Sequence, residues 1–166
     1  PTDPTDPTEE TTETDLALLA EEDILDSGTC GAEGDGSNVT WVLTTDGTLI
    51  LSGTGAVAAY EKRKDTPWGD YNDQILQLEV QKGITSVSGL CSCYKLREVS
   101  LPEGLISLDE FAFMDCQKLQ EIRLPKSLKT LGDGTFAGCH ALPEIELPED
   151  LETVGEGALM NCLSLT

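Results

Sequence analysis

The only histidine of the chain, His140, directly follows a cysteine, Cys139. A thiol beside an imidazole could serve as a nucleophile with its general base, or the two side chains could ligate a zinc ion. Either role requires both side chains to converge on one point, whereas neighbours in an extended segment point to opposite sides. Whether this pair can do chemistry therefore depends on the structural element that carries it.

Cys139 is one member of a regular series, because four cysteines follow one another at intervals of 23 residues. Nothing in nucleophilic catalysis requires a copy of the nucleophile in every repeat, whereas a small thiol is a common filler of protein cores. His140 occupies a position where the other repeats have tyrosine, glutamine and leucine. We therefore predict no catalytic residue, and a structural core ladder made by Cys93, Cys116, Cys139 and Cys162.

Other apolar positions keep the same phase as the cysteines. Val99, Ile122 and Ile145 form one column, and the leucines of the next column are each followed by proline. A repeat of this length with a leucine-rich strand is typical of solenoids. The sequence predicts an α/β, β-rich fold, a right-handed leucine-rich-repeat solenoid with 23 residues per coil. We expect one parallel strand per coil, joined by short helical or 3₁₀ turns.

The chain divides into three predicted parts. Residues 1–15 repeat a Pro-Thr-Asp triplet, which is typical of an extended acidic linker. Residues 16–74 form an N-terminal segment, with a short helix expected over 15–26 and a β-hairpin cap whose turn contains Asp46 and Gly47. Residues 75–166 hold the leucine-rich repeats, which amount to about four coils with the last one incomplete.

Two cysteines, Cys30 and Cys91, lie outside the ladder. In a secreted chain they could pair in a disulfide, and the sequence leaves this open. The Cys-Ser-Cys run at 91–93 lacks a second pair of ligands at the spacing of a zinc site. The motifs of phosphate loops, serine hydrolases and zinc proteases are missing from the sequence as well. We predict neither a metal nor a cofactor, and no enzymatic activity.

The charge of the chain disfavours nucleic acid as a partner. The formal net charge is −21, and residues 1–26 carry ten acidic side chains and no basic one. The remaining residues are still strongly acidic and would repel a phosphate backbone or an anionic membrane surface. No apolar run reaches the roughly 18 residues of a spanning helix, so membrane insertion is not expected.

The outward positions of the predicted strands are the candidate binding surface. Alternation places one row of glutamates on this face, with a second, mixed row beside it. Carboxylates stacked on neighbouring strands repel one another unless a cation or a basic partner relieves them. The face is either simply solvated or a partner-binding stripe. Its residues are Glu98, Ser100, Glu121, Arg123, Glu144 and Glu146.

The stretch LPEGLISLDEFAFMDCQKLQEIRLPKSLKTLGDGTFAGCHALPEIELP, at 101–148, resembles the BspA-type leucine-rich repeats of bacterial surface and secreted proteins. The segment NVTWVLTTDGTLILSGTGA, followed by PWGDY, is similar to the part that precedes the repeats in many members. The resemblance implies a curved solenoid whose hairpin covers the first coil, and a role in adhesion or protein recognition. The family shares no catalytic residues, so it implies none here.

We predict a non-enzymatic recognition or adhesion module, extracellular or on the cell surface. It would bind protein partners, such as host matrix or bacterial surface proteins, through the solenoid surface. One alternative is a carbohydrate-binding or targeting module of a secreted polysaccharide-degrading system, and another is a structural spacer between domains. Sugar binding would need aromatic faces, for which the sequence offers Trp41, Trp68, Tyr60, Tyr71 and Tyr94.

Overall fold

The computed structural model describes residues 13–60 and 63–166. In these two ranges the chain forms eleven short strands in two sheets and four single-turn 3₁₀ helices. The 3₁₀ helices are Leu16–Leu18, Glu21–Asp23, Arg63–Asp65 and Gly69–Tyr71. The strands are β1 (Ile24–Thr29), β2 (Val39–Thr44), β3 (Thr48–Gly53), β4 (Gly55–Ala56), β5 (Gln77–Val80), β6 (Ile84–Val87), β7 (Glu98–Ser100), β8 (Ser107–Leu108), β9 (Glu121–Ile122), β10 (Thr130–Leu131) and β11 (Thr153–Val154).

The first sheet has the strand order β1-β2-β3-β5-β7-β9. Strands β1, β2 and β3 are antiparallel, and β3 then pairs in parallel with β5, which begins the repeats. The predicted hairpin is confirmed, with Trp41 opposite Leu51 and Gly47 in the left-handed region at φ 91°. The hairpin therefore extends the sheet of the solenoid and covers the first coil.

The second sheet has the order β11-β10-β8-β6-β4, and all of its pairs are parallel. The expectation of one strand per coil is wrong. Each of the first three coils adds one strand to the first sheet and one to the second, and the fourth coil adds β11 to the second sheet. The strands β8, β10 and β11 are two residues long, which is too short to show a period of two in the sequence. Their pairing comes from the stacking itself, which brings Thr130 beside both Ser107 and Thr153.

The segments that carry the phenylalanines and cysteines are reverse turns instead of helices. Ala112 N–H donates to Asp109 O at 3.1 Å, and Cys116 N–H donates to Phe113 O at 3.2 Å. Between them, Phe113 N–H donates to Thr135 O of the next coil at 2.8 Å. These turns thus share their hydrogen bonds with the neighbouring coil, which a continuous helix could not do. They also stack the rings of Phe113 and Phe136, whose centroids lie 5.6 Å apart.

The helix expected over 15–26 is also wrong. The segment forms the first two 3₁₀ helices and then enters β1 at Ile24. Asp15 does act as a cap, because its side chain accepts from Ala17 N–H at 3.0 Å. Pairing of β1 with β2, which places Gly28 opposite Trp41, outweighs the weak helical spacing of the leucines.

One apolar core runs from the hairpin through the coils. Leu108, Leu131, Leu119 and Leu142 are fully buried between neighbouring coils. Burial falls away in the last coil, where Val154 is 51% exposed and Leu163 is 76% exposed.

Candidate functional site

The outward side of the first sheet forms an acidic surface, which we call the strand face. It comprises the predicted residues Glu98, Ser100, Glu121, Arg123, Glu144 and Glu146, preceded by Gln77 and Glu79 of the first coil. Val99 and Ile122 alternate with them and pack on the core side. The register sets Gln77 beside Glu98 and Glu98 beside Glu121, as it sets Glu79 beside Ser100. Five of the eight residues are glutamates and one is an arginine.

Two glutamates of this face stand directly side by side. Glu98 and Glu121 are register partners on adjacent parallel strands, and both are exposed. Gln77 Nε2 donates to Glu98 Oε2 at 3.1 Å, and Arg123 Nε donates to Glu121 Oε1 at 3.2 Å. The arginine and the glutamate are 81% and 67% exposed, so this ion pair contributes about 0 to 1 kcal/mol. The repulsion between the two carboxylates is thus only weakly relieved within the chain.

The parallel ladder of the first sheet stops at β9, and a proline explains why. Arg97 N–H donates to Leu76 O and Gln120 N–H donates to Arg97 O, each one coil back. The next member of that series is Pro143, which has no N–H to donate to Gln120. The structure accordingly assigns no strand to 144–146, although the predicted row continues there as exposed Glu144 and Glu146.

A groove of about 700 Å³ opens beside this break. It lies between the third and fourth coils, and Lys126 and Glu146 stand among its lining residues. Leu147 also lines it and is 44% exposed, whereas Leu124 in the preceding coil is half-buried. The second sheet continues past this point into β11, so the two coils separate on one side only. Pro143, which interrupts the series of backbone donors, is the feature of the sequence that could have indicated this groove.

The cysteine ladder lies inside the solenoid. Cys93, Cys116 and Cys139 are fully buried, and Cys162 in the last coil is half-buried. Three of them make the same hydrogen bond, in which the thiol donates to a backbone carbonyl 26 residues earlier. Cys116 Sγ contacts Leu90 O at 3.3 Å, Cys139 Sγ contacts Phe113 O at 3.3 Å, and Cys162 Sγ contacts Phe136 O at 3.2 Å.

Burial makes these thiols poor nucleophiles. It raises the pKa of Cys139 to about 12 and raises the pKa of Cys116 well above the ordinary thiol value. A thiolate, the reactive form, is therefore strongly disfavoured at neutral pH. His140 lies next in the chain and is half-buried, and its backbone N–H donates to Gly138 O at 2.9 Å. The thiol of Cys139 donates to Phe113 O at 3.3 Å.

Cys30 and Cys91 are not joined by a disulfide. Cys30 is buried beside the hairpin, and burial raises its pKa to about 12. No group of three or more metal-binding side chains occurs in the described ranges 13–60 and 63–166. Within those same ranges, no helix has the length and apolar character needed to cross a membrane.

The aromatic residues named as candidates for sugar binding are largely used inside the fold. Trp68 is fully buried, and its Nε1 donates to Gly89 O at 3.0 Å. Trp41 is also buried and meets Trp68 edge to face, with ring centroids 6.0 Å apart. Tyr60 packs on Trp68 in the same way, and Tyr71 OH donates to Asp26 Oδ2 at 2.9 Å. Tyr94 is exposed.

Comparison with known proteins identifies the repeat. The family model of the BspA type leucine rich repeat region matches residues 71–166, with six copies of its motif. The chain belongs to the BspA-type leucine-rich repeat family. This confirms the resemblance seen in the sequence and agrees with the solenoid described above. A search of curated proteins finds no match.

Solved structures of bacterial leucine-rich repeat proteins are similar in fold to this chain. One from Eubacterium ventriosum is 25% identical over 84% of this chain and 43% of its own, with a TM-score of 0.63. A leucine-rich repeat protein of T. pallidum is 25% identical over 81% of this chain and 69% of its own, with a TM-score of 0.58. A Bacteroides ovatus protein, 18% identical, covers 77% of this chain and 38% of its own with a TM-score of 0.60. The chain thus spans less than half the length of the first of these proteins.

One contact of the strand face had no counterpart in the sequence analysis. Glu79 in the first coil accepts two hydrogen bonds from Thr14, which lies 65 residues earlier. Thr14 lies within the predicted acidic linker, whereas in the structure it is hydrogen-bonded to the first coil. Sequence reasoning had no signal for this contact, because neither residue belongs to a motif that predicts the other.

Proposed function

We propose that this chain is a non-enzymatic recognition module, acting outside the cell or on its surface, whose strand face binds a basic surface of a protein partner. The observation that carries the proposal is the register pairing of Glu98 with Glu121 on a parallel ladder. Like charges placed on adjacent strands destabilise a sheet. A partner that supplied cations between them would relieve this repulsion and gain binding energy from it.

The geometry of the face suits extended contact. Adjacent parallel strands lie about 4.8 Å apart, so the register partners Glu98 and Glu121 hold their carboxylates close together, and Glu144 follows beyond the end of the ladder. Rigid side-by-side coils lose little conformational entropy on binding, which favours recognition by a preformed surface. Lysine and arginine side chains of a partner, for instance in a matrix protein or a bacterial surface protein, match this line in charge. Binding of this kind would weaken as salt concentration rises.

The experiment compares two variants with the same change in net charge. In the first, Glu98, Glu121 and Glu144 are replaced by glutamine; in the second, Glu33, Glu110 and Glu156, which lie in turns away from the strands, are replaced. The probe is a ten-residue lysine peptide, followed by a panel of purified matrix proteins, measured by biolayer interferometry at low and physiological salt.

We expect the strand-face variant to lose about tenfold or more in affinity for its basic ligands, and the turn variant to lose much less. The salt dependence should also become shallower only in the strand-face variant. Equal losses in the two variants would mean that only the net charge attracts the ligand, and the proposal would be wrong.

The carbohydrate alternative is less well supported. Trp41 and Trp68, the largest aromatic faces available, are buried in the cap and cannot stack on a sugar. Among the five aromatic candidates for sugar binding, Tyr94 is the exposed one. A glycan array with binding that disappears in a Tyr94→Ala variant would favour this alternative, and a chain that binds neither sugars nor basic ligands would favour the spacer.

A further inference from the structure

We propose that Glu79 and Gln81 of the first coil form a docking site for the threonine of an extended acidic segment, and that the chain's own Thr14 fills it. The end of the acidic linker would then be a built-in occupant of the strand face. Four observations carry this inference: the hydrogen bonds, the departure of the first coil from the repeat, the burial of Ile50, and the position of the site on the strand face.

Every polar group of Thr14 has a partner at this site. Its N–H donates to Glu79 Oε1 at 2.8 Å, and its hydroxyl donates to Glu79 Oε2 at 2.5 Å. Its carbonyl accepts from Gln81 Nε2 at 2.7 Å. Gln81 Nε2 also donates to Glu79 Oε1 at 3.0 Å, which fixes the two receptor side chains relative to each other. Hydrogen bonds to an ionised carboxylate are stronger than those between neutral groups.

A fifth hydrogen bond extends the contact by one residue. Lys82 N–H donates to the carboxylate Oε1 of Glu13 at 2.6 Å. The segment is therefore held at both its backbone and its side chains, over two successive residues. Glu13 and Glu79 carry the same charge, so the segment is held by hydrogen bonds and not by attraction between these two carboxylates.

The first coil departs from every later coil at the position of Gln81. The place of Glu79 is taken by Ser100 in the second coil, its register partner, by arginine in the third coil and by Glu146 in the fourth. The place of Gln81 is taken by proline in all later coils, at Pro102, Pro125 and Pro148. Proline has no side-chain donor that could reach a peptide carbonyl. Only the first coil therefore combines a carboxylate acceptor with an amide donor.

The segment also accounts for a buried residue on the outer side of the sheet. Ile50 is the register partner of Glu79, so its side chain leaves the sheet on the same side as the Glu79 side chain. That side faces away from the core, and yet Ile50 is only 1% exposed. The N-terminal segment is bonded to Glu79 on this side, and we infer that its half-buried Leu16 and Leu19 cover Ile50. Burial of an apolar patch thus adds to the hydrogen bonds.

Docking of Thr14 also limits the surface open to a partner, which rests on the proposed function of the strand face. With Thr14 docked, Glu79 and Gln81 are occupied, and a partner meets Gln77 and the later coils, where Glu98 and Glu121 stand. Displacement of the segment would add Glu79 and Ile50 to the surface. The docking itself does not depend on any partner.

The test is amide hydrogen exchange, measured residue by residue by NMR on the full chain without a partner. Two amides report on the site directly: that of Thr14, which bonds to Glu79, and that of Lys82, which bonds to Glu13. We expect Thr14 to exchange roughly tenfold or more slowly than an unstructured threonine amide, because its donor bonds to a charged acceptor. Exchange of Thr14 at the unstructured rate in the unaltered protein would overturn the proposal.

Three variants separate specific docking from loose contact. Glu79→Leu removes both acceptors and should abolish the protection of Thr14. Glu79→Gln should retain most of it, because the amide oxygen still accepts and the amide nitrogen can donate to the threonine hydroxyl. The matched control is Glu98→Leu, one coil away, which should leave Thr14 unchanged.

The amide of Cys116, bonded to Phe113 O in the core turn, checks that the body remains folded in each variant. Protection of Thr14 that survives Glu79→Leu with Cys116 still protected would refute the site. Since no partner is present in this experiment, its failure is distinguishable from loss of basic-ligand binding by the strand-face variant.

Discussion

Truncation of one ladder cysteine gives the most direct measure of how the solenoid is held together. Cys139→Ala removes a sulfur that is fully buried and that donates to Phe113 O at 3.3 Å. Because Phe113 O also accepts from Cys116 N–H at 3.2 Å, the change leaves no buried acceptor without a partner. The cost is therefore that of lost packing and one weak hydrogen bond, without a desolvation penalty.

The magnitude can be worked from these contacts. A weak thiol hydrogen bond contributes about 0.5 kcal/mol. Loss of a buried apolar group similar in size to a methylene costs about 0.8 kcal/mol, and the small cavity left behind adds about 0.5 to 1 kcal/mol. We expect Cys139→Ala to lower the free energy of unfolding by about 2 kcal/mol, or the melting temperature by about 4 to 8 °C.

Cys162→Ala is the matched control. Its thiol makes the same bond, to Phe136 O at 3.2 Å, but the side chain is only half-buried in the last coil. Its truncation should cost about 1 kcal/mol, since less surface returns to water. Urea unfolding followed by circular dichroism measures both values. A Cys139→Ala variant as stable as the parent, or no more affected than Cys162→Ala, would refute the view that the ladder packs the core.

Three further changes test other parts of the fold. Burial raises the pKa of the Cys139 thiol to about 12 from an ordinary 9.0, so the unfolded chain loses this proton at lower pH than the folded one. The free energy of unfolding should therefore fall as the pH rises from about 9 to 12. Thermal melts across that range should show a smaller loss of stability in Cys139→Ala. Pro143→Gln restores the missing donor to Gln120 O, so the amide at 143 should become protected from exchange, with little net change in stability because the proline's effect on the unfolded chain offsets the new bond. Rapid exchange at 143 would assign the break to another cause. Gly132→Ala should cost about 1 to 3 kcal/mol, since the added Cβ would lie 2.5 Å from Glu110 N and 2.7 Å from Asp109 C, both in the backbone of the preceding coil; an unchanged urea midpoint would mean that the coils are less tightly stacked than described.

Much of the solenoid was predictable because its residues recur. A column such as Leu108 and Leu131 is visible in the sequence, and each member fills the same place in successive coils. The turn at Gly47 was predictable for a different reason, since its backbone conformation suits glycine and few other residues. Both signals are local, or repeat locally, and can be read without knowing which distant residues meet.

The errors arose where pairing with a distant strand decided the structure. Leu16 and Leu19 suggested a helix, but the following residues pair with β2 and become an edge strand. The strands of the second sheet are too short to carry a pattern of their own, and they exist because one coil lies on the next. Glu98, Glu121 and Glu144 of the predicted row are exposed, yet the ladder beneath Glu144 is broken by a proline whose effect depends on its register with Gln120.

The sequence alone determined the length of a coil and the columns of apolar side chains that the coils bury. These follow from side-chain chemistry repeated at a fixed interval. The tertiary structure decided that Thr14 docks on Glu79, that two sheets form, and that the third and fourth coils part on one side. Each of these depends on hydrogen-bonding groups brought together only once in the fold, and a contact that occurs once leaves no periodic trace in the chain.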